Sequence, residues 1–277
     1  MMLLVGASGQ VGSRVARMLA GRDEVRALAH SDRSAVFLIE LGFEVVSGDL
    51  GDRSTLNEAS KGVDSLFLVT PFTPSQLEHE ANALDAGREL RRVVKISALN
   101  RGVSFSRPHE EIERRLQASE LEVSVLRPDF IVSGLMAQRE LIRQGQIVFP
   151  ADGARRAFID PNDIAEVAVH EVTAINPVGG HLLLTGPESL SFAELAGRLS
   201  ARLGRRVDFV DVPAHAWREG LVDSGVPDFY ADALVELFER DIKPSSISVS
   251  EDVERVLGRS PRRIDHFIEH EISPAIA

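Results

Sequence analysis

Met1-Met2-Leu3-Leu4-Val5-Gly6-Ala7-Ser8-Gly9-Gln10-Val11-Gly12 opens the chain. A short apolar run leads straight into three glycines, and Val11, Val15 and Leu19 then recur at helical spacing. A strand, a glycine turn and a helix in that order make a cradle for phosphate. The first amides of a helix point outward with no intrahelical partner, and the helix N-terminus carries partial positive charge. Glycine is required where a side chain would block a pyrophosphate or hold the helix off the strand. The spacing is G-x-x-G-x-x-G, not the G-x-G-x-x-G of the common dinucleotide fingerprint. Its context supplies what the spacing lacks. Val25-Arg26-Ala27-Leu28-Ala29 reads as a second strand and completes a βαβ unit of about 30 residues. The competing reading is a tight turn in some other α/β protein.

Outward from that unit, strands and helices keep alternating. Ser34 to Leu41 reads as a helix ended by Gly42, and Phe43–Val46 as a third strand leading into Gly48-Asp49-Leu50. Arg53 to Ser60 is a short helix, Ser65–Val69 a buried strand followed by Thr70-Pro71, and Gln76 to Leu90 a long helix. Arg92–Ser97 is a fifth strand, Pro108–Ala118 a helix with proline in its first turn, and Val123–Leu126 a sixth strand closed by Arg127-Pro128. Short apolar strands alternating with helices predict a parallel sheet covered on both faces.

The rhythm changes near Phe130. Helices are expected at Leu135–Arg143 and Asn162–Ala174, a strand at His181–Leu184, and a helix from Ser191 to Leu203 whose Ser191 and Glu194 fit a capping box. Val207–Val210 reads as a strand, and further helices run to the C-terminus. We expect residues 1–130 to form the nucleotide-binding core, with 155–175 returning to it, and 131–277 to form mainly a smaller lobe over the strand ends.

The 277 residues, 44% of them hydrophobic, suffice for a large core plus a lobe. Net charge is −11 and the arginine pairs are scattered, which argues against nucleic-acid binding. There is no cysteine, which excludes disulfides and thiol catalysis and fits a reducing compartment. The first strand begins at residue 1, leaving no room for a signal peptide, and no apolar run approaches the ~20 residues of a membrane span. A cytoplasmic protein without a membrane partner is the expectation.

With these stretches in hand the chain resembles the NmrA-like branch of the atypical short-chain dehydrogenase/reductase superfamily. The resemblance rests on Gly6–Gly12, Gly48-Asp49-Leu50, Val94-Lys95-Ile96-Ser97-Ala98, His109-x-x-x-Glu113, Leu126-Arg127-Pro128, Phe158-Ile159-Asp160-x-x-Asp163-Ile164-Ala165 and Leu184-Thr185-Gly186-Pro187-Glu188. They occur in family order and span nearly the whole chain. The resemblance implies a Rossmann-type parallel sheet, bound NAD(P) and a smaller C-terminal substrate lobe. It implies cofactor contacts from Gly6, Ser8, Gly9, Gln10, Val11 and Gly12 at the diphosphate, and from Asp49 and Leu50 at the adenine. Thr70 and Pro71 would lie beside the pyrophosphate and ribose, and Phe130 at the nicotinamide face. Asp49 reads equally as a turn residue.

Nucleotide choice turns on the end of the second strand, Leu28-Ala29-His30-Ser31-Asp32-Arg33. An acid about 20 residues past the glycines would select NAD. NADP-using relatives often carry arginine where this chain has His30. We expect His30, Ser31 and Arg33 to hold a 2′-phosphate, so that NADP(H) is preferred and NAD(H) tolerated. Asp32 reads either as an NAD ligand or as a helix N-cap.

Relatives with a Tyr-x-x-x-Lys pair use it for proton transfer and ribose binding. This chain has one tyrosine, Tyr230, far downstream. His109 falls near the lysine that several NmrA-like reductases use. Glu113, one turn on, shares its helix face and would orient it and favour its protonated form. His109 is thus a candidate to bind ribose or deliver a proton; the alternative is a surface His–Glu pair. The same pair lacks further ligands for a metal. Ser97 is a candidate hydroxyl beside the substrate carbonyl, or simply a turn residue. Phe72, Met136, Phe149, Phe158, Trp217, Phe229 and Tyr230 are candidate pocket residues, each readable also as core.

Three functions follow from the resemblance. The first is an NAD(P)H-dependent reductase that passes hydride to a small conjugated acceptor such as a quinone, enone or imine. The second is a non-catalytic NAD(P) sensor that signals to a protein partner. The third is an isomerase or cyclase on the same fold.

Overall fold

The computed structural model describes residues 1–99, 102–243 and 248–276. Its centre is a seven-stranded parallel sheet in the order β3-β2-β1-β4-β5-β6-β9. The strands are β1 (Met2–Val5), β2 (Val25–Ala29), β3 (Glu44–Ser47), β4 (Ser65–Leu68), β5 (Arg92–Ile96), β6 (Glu122–Pro128) and β9 (Gly180–Leu184). The chain leaves β1 for β2 and β3 on one side and returns to place β4 on the other. The gap above β1 and β4 is therefore where the winding reverses, the place where open α/β sheets bind ligands.

Both faces of the sheet are covered, as apolar strands require. One face carries α1 (Gly12–Leu19), α2 (Asp32–Glu40) and α7 (Pro161–Thr173). Val15, Leu19, Leu38, Ile164 and Ala168 pack there with Leu4, Phe67 and Leu126. The other face carries α3 (Arg53–Ala59), α4 (Gln76–Ala86) and α5 (Arg107–Gln117), through Leu56, Ala83, Ile112 and Leu116. Asp160 starts α7 by accepting from the amide of Asn162, and Pro161 takes the first helical position, where a missing N–H costs nothing.

More of the C-terminal half returns to the sheet than residues 155–175. β9 pairs with β6 along Ser124–Pro128, and α11 (Asp252–Leu257) packs on α7 and β9. The rest builds a second apolar cluster around Leu135, Phe149, Phe192, Leu195, Trp217 and Phe267. Its frame is two small sheets, β7 (Gln146–Phe149) beside β11 (Asp208–Asp211) and β8 (Arg155–Arg156) beside β10 (Leu190–Ser191). α8 (Phe192–Leu203) lies against them behind the expected Ser191–Glu194 capping box. α9 (Ala214–Asp223) and α10 (Asp228–Leu237) follow, and Trp217, Leu221, Tyr230 and Leu234 on them line a cleft.

Three expected helices differ in their bounds by two residues or more, for local reasons. The helix from Gln76 stops at Ala86 because Gly87 caps it, not at Leu90. The stretch 135–143 is split: a 3₁₀ segment runs Val132–Gln138 through Gly134, and only α6 (Arg139–Arg143) is α-helical. α2 begins at Asp32 because Ser31 caps it, its hydroxyl accepting from the amide of Ser34. Asp32 is therefore not the N-cap.

Candidate active site

A cleft of about 1440 Å³ runs along the C-terminal ends of the strands and under the second cluster. Sites for one small ligand occupy roughly 300–1,000 Å³. This volume therefore has room for two ligands side by side. Gly6 follows β1, His30 follows β2, Gly48 follows β3, Val69 to Pro71 follow β4, Ser97 follows β5 and Asp129-Phe130 follow β6, and all of them line the cleft.

The glycine turn has three different geometries. Gly6 sits at φ +79°, and a Cβ there would lie 2.0 Å from the carbonyl oxygen of Val69. A Cβ on Gly12 would lie 2.0 Å from the carbonyl oxygen of Gly6, so helix α1 can approach β1 only without it. A Cβ on Gly9 would meet nothing closer than 3.4 Å. Gly9 thus makes room for something outside the protein. The amide of Gly9 closes the turn onto Gly6, whereas those of Gln10, Val11 and Gly12 donate to no acceptor among the described residues. Three unused amides at a helix N-terminus fit a diphosphate. Ser8 lines the same loop, and the Gln10 side chain accepts from the Ser133 hydroxyl.

At the far end, His30, Asp49 and Leu50 line the cleft together with Leu28, Gly48 and His79. Ser31 and Arg33 do not line it: Ser31 is committed to the cap and Arg33 is exposed on the first turn of α2. Asp32 is also outside it, so no carboxylate waits at the end of β2 for a ribose. Asp49 accepts from the amide of Gly51 at 2.6 Å, so it holds a turn as well as facing the cleft.

At the near end, Thr70, Pro71, Ser97, His109 and Phe130 come together. Ser97 donates to Glu113, which is also bound by Arg127. His109 is only 6% exposed and Glu113 1%, so the two are not a surface pair. Nor do they bond each other. They share a helix face, but Glu113 turns toward the ends of β5 and β6 while His109 turns toward α4 and β5. There its Nδ1 lies 3.1 Å from Lys95 Nζ and its Nε2 3.2 Å from Gln76 Nε2. Burial, and then the nearby Lys95 ammonium, push the imidazole well below its ordinary pKa. Glu113 therefore does not orient His109 as expected: the ring's charged neighbour is the Lys95 ammonium, which disfavours its protonated form.

Lys95 was not anticipated. It is fully buried, donates to Glu80 at 2.6 Å, and Glu80 in turn accepts from Thr70 at 2.6 Å. Burial pulls the ammonium down from its ordinary pKa and the Glu80 carboxylate works against that. The available signal was a lysine inside the apolar run Arg92–Ile96, with Gln76 and Glu80 one turn apart on the preceding helix.

The acceptor side is apolar and aromatic. Of the candidates, Phe149, Trp217 and Tyr230 line the cleft, while Phe72, Met136, Phe158 and Phe229 do not. Phe72 backs Phe105 and Tyr230 at centroid distances of 4.9 and 5.9 Å, Phe158 backs Phe130 at 5.2 Å, Met136 packs into the second cluster, and Phe229 is exposed. Phe105, Leu221 and Phe238, not singled out in the sequence, complete the wall. One buried ion pair, Asp129 with Arg156, also lines it. Burial raises the Asp129 carboxyl, and Arg156 opposes the rise.

The model of the NmrA-like family matches residues 1–256. An NAD(P)H azoreductase of Xenophilus azovorans is 30% identical over 275 residues, covering 96% of both chains. A (4-alkanoyl-5-oxo-2,5-dihydrofuran-3-yl)methyl phosphate reductase of Streptomyces griseus is 33% identical over 279 residues, covering 98% of both. Among solved structures, the NADPH complex of an Escherichia coli NADPH-dependent quinone oxidoreductase superposes with a TM-score of 0.87 at 21% identity, over 98% of this chain and 99% of that one. The Citrobacter triphenylmethane reductase complexed with NADP(H) superposes at 0.82 with 21% identity, over 97% and 98%. With a family model covering most of its length and full-length relatives at this identity, the chain belongs to the NmrA-like family.

Proposed function

We propose that this chain is an NAD(P)H-dependent reductase, NADPH being preferred, that delivers hydride to a small flat conjugated acceptor such as a quinone, enone or imine. The observation that carries the reading is one continuous cleft joining unused helix amides at Gln10–Gly12 to an aromatic chamber at Phe149, Trp217 and Tyr230. Relatives named as reductases support it.

The loop Gly6–Gly12 would hold the diphosphate, with Ser8 and Gln10 beside it. Asp49 and Leu50 would flank the adenine, and Thr70 and Pro71 the ribose. Among the three residues expected at the 2′-phosphate, His30 is the one that reaches the cleft, with Ser31 and Arg33 behind it. The absence of a β2 carboxylate from the lining favours NADP(H) over NAD(H). When bound, the reduced nicotinamide supplies the hydride, and the protein positions it and excludes water. Phe130 would press on the nicotinamide face. Ser97, its proton given to Glu113, presents its oxygen to the acceptor side. The aromatic wall orients a planar acceptor and shields it from solvent.

Residues 1–130 with 161–184 and 252–257 form the nucleotide half in this reading, and the remainder the substrate lobe. The small-molecule acceptor is the partner. Net charge −11 argues against nucleic acid, and the lack of cysteine supports a cytoplasmic setting. Among the described residues no helix is long and apolar enough to cross a membrane.

A non-catalytic dinucleotide sensor with a protein partner is the second reading. It is favoured by the missing Tyr-x-x-x-Lys pair and by a His109 whose ring nitrogens both face buried partners. Loss of NADPH absorbance with a panel of quinones, enones and azo compounds, alongside calorimetric NADPH binding, separates the two. Turnover supports the reductase; tight binding without turnover on any acceptor overturns it.

A further inference from the structure

At the near end His109 faces the cleft and is gripped from behind by a buried ammonium. Lys95 Nζ is 0% exposed and has three acceptors within reach: Glu80 Oε2 at 2.6 Å, His109 Nδ1 at 3.1 Å and the carbonyl of Ile96 at 3.3 Å. An ammonium has three protons and accepts nothing. A lysine charged by its contact with Glu80 must therefore donate to Nδ1, and the imidazole proton must sit on Nε2.

Gln76 supplies an independent check. With its amide nitrogen toward His109, its Oε1 is buried and without any hydrogen-bond partner. Rotating the amide by half a turn points Oε1 at Nε2 instead and gives that oxygen a donor at 3.2 Å, at the cost of the long 3.4 Å contact to Glu80 and with the amide nitrogen moved to the buried position the oxygen held.

We propose that Lys95 is a positioning residue: backed by Glu80, it donates to Nδ1 of His109 and thereby locks the imidazole on the cleft wall as a neutral ring with its proton on Nε2, bound to Gln76. The arrangement is Thr70–Glu80–Lys95–His109–Gln76, drawn from the end of β4, α4, β5 and α5. Among the described residues, further carboxylates lie on the helix that carries His109. Glu113, on the same helix as His109, is held by Ser97 and Arg127 of β6, and Glu110 by Ser106 and the amide of Gly102. None reaches the imidazole.

For a reductase this has a definite consequence, which rests on the function proposed above. An acceptor that has taken hydride needs a proton, and an imidazole whose Nε2–H is committed to Gln76 does not give one. The proton is then not drawn from His109, which serves as an uncharged wall that does not repel or trap a conjugated ring.

The test is ¹⁵N–¹H NMR of the imidazole nitrogens in the free protein, with His109→Gln to assign the signals. The expected result is a neutral His109 with its proton on Nε2, unchanged from pH 8 to pH 5.5. A proton on Nδ1, or titration near pH 6.5 in the wild type, overturns the proposal. In Lys95→Met/Glu80→Gln, which removes both charges so that neither is left buried alone, the His109 midpoint should rise by at least one pH unit. An unchanged midpoint in that folded variant also overturns it. Should the double variant fail to fold, the wild-type tautomer still decides. NADPH titration of the same samples keeps the outcomes apart: no nucleotide binding sinks the reductase reading and leaves the tautomer result standing.

Discussion

Alanine at Gly9 and alanine at Gly12 should fail in opposite ways. At Gly12 the new Cβ would sit 2.0 Å from the carbonyl oxygen of Gly6, against about 3.4 Å for a close ordinary contact, so two pieces of backbone must part by about 1.4 Å. Neither atom is at the end of a flexible side chain. Overpacking of this kind costs about 1–3 kcal/mol and outweighs the ~1 kcal/mol that Gly→Ala gains inside a helix. At about 2–4 °C per kcal/mol for a chain of this size, Gly12→Ala should melt several degrees lower. At Gly9 the Cβ meets only Gly6 O at 3.4 Å, and the residue is exposed, so the free protein accommodates it. Its stability should hold or rise by about 0.4–1 kcal/mol, because the unfolded chain loses freedom. If a diphosphate rests on the amides of Gln10, Val11 and Gly12, that methyl group stands in its way. Losing one hydrogen bond to a charged oxygen costs about 1.5–3 kcal/mol, which is about 10- to 150-fold in Kd. Thermal melts without nucleotide and calorimetric NADPH titrations of both variants make the comparison. A Gly9→Ala protein that binds NADPH like the wild type would refute the placement of the diphosphate.

His30→Ala should weaken NADPH at least fivefold more than NADH, and Arg33→Ala should show a smaller difference, since only His30 lines the cleft; Kd values for both nucleotides check this, and equal losses would remove His30 from the 2′-phosphate. Trp217→Ala opens the aromatic wall beside Phe149 and Phe238 and should raise the acceptor KM about tenfold while leaving the Kd for NADPH within twofold; a change confined to NADPH binding would move Trp217 out of the acceptor chamber. Acid should destabilise the fold through His109. The unfolded chain binds that proton near pH 6.5 and the folded chain only well below it, so between those values the unfolded state holds more protons and stability falls as pH falls. Urea unfolding from pH 8 to pH 5 should show a loss of at most ~1.4 kcal/mol per pH unit below about 6.5. A His109→Gln protein should lose less over that interval, and parallel profiles would sink the argument.

The cradle was legible in the sequence because it is made of contiguous backbone. A strand, a turn at φ +79° and a helix need only neighbouring residues, and the steric demands on Gly6 and Gly12 are met or broken locally. The alternation that followed was equally plain, since buried parallel strands must be apolar on both sides, and it placed six of the seven strands of the main sheet in its first half. The seventh, Gly180–Leu184, was recognised as a strand but not as a partner of Glu122–Pro128, because its sequence does not say which edge it will pair with. The near end of the cleft was decided by tertiary structure alone. His109 lies 14 residues from Lys95 and 33 from Gln76, and Lys95 lies 15 from Glu80. Helical spacing put His109 and Glu113 on one face, but a face names no neighbour. Packing against α4 and β5 gave His109 an ammonium where local spacing offered a carboxylate, and so reversed the sign of the charge that acts on it.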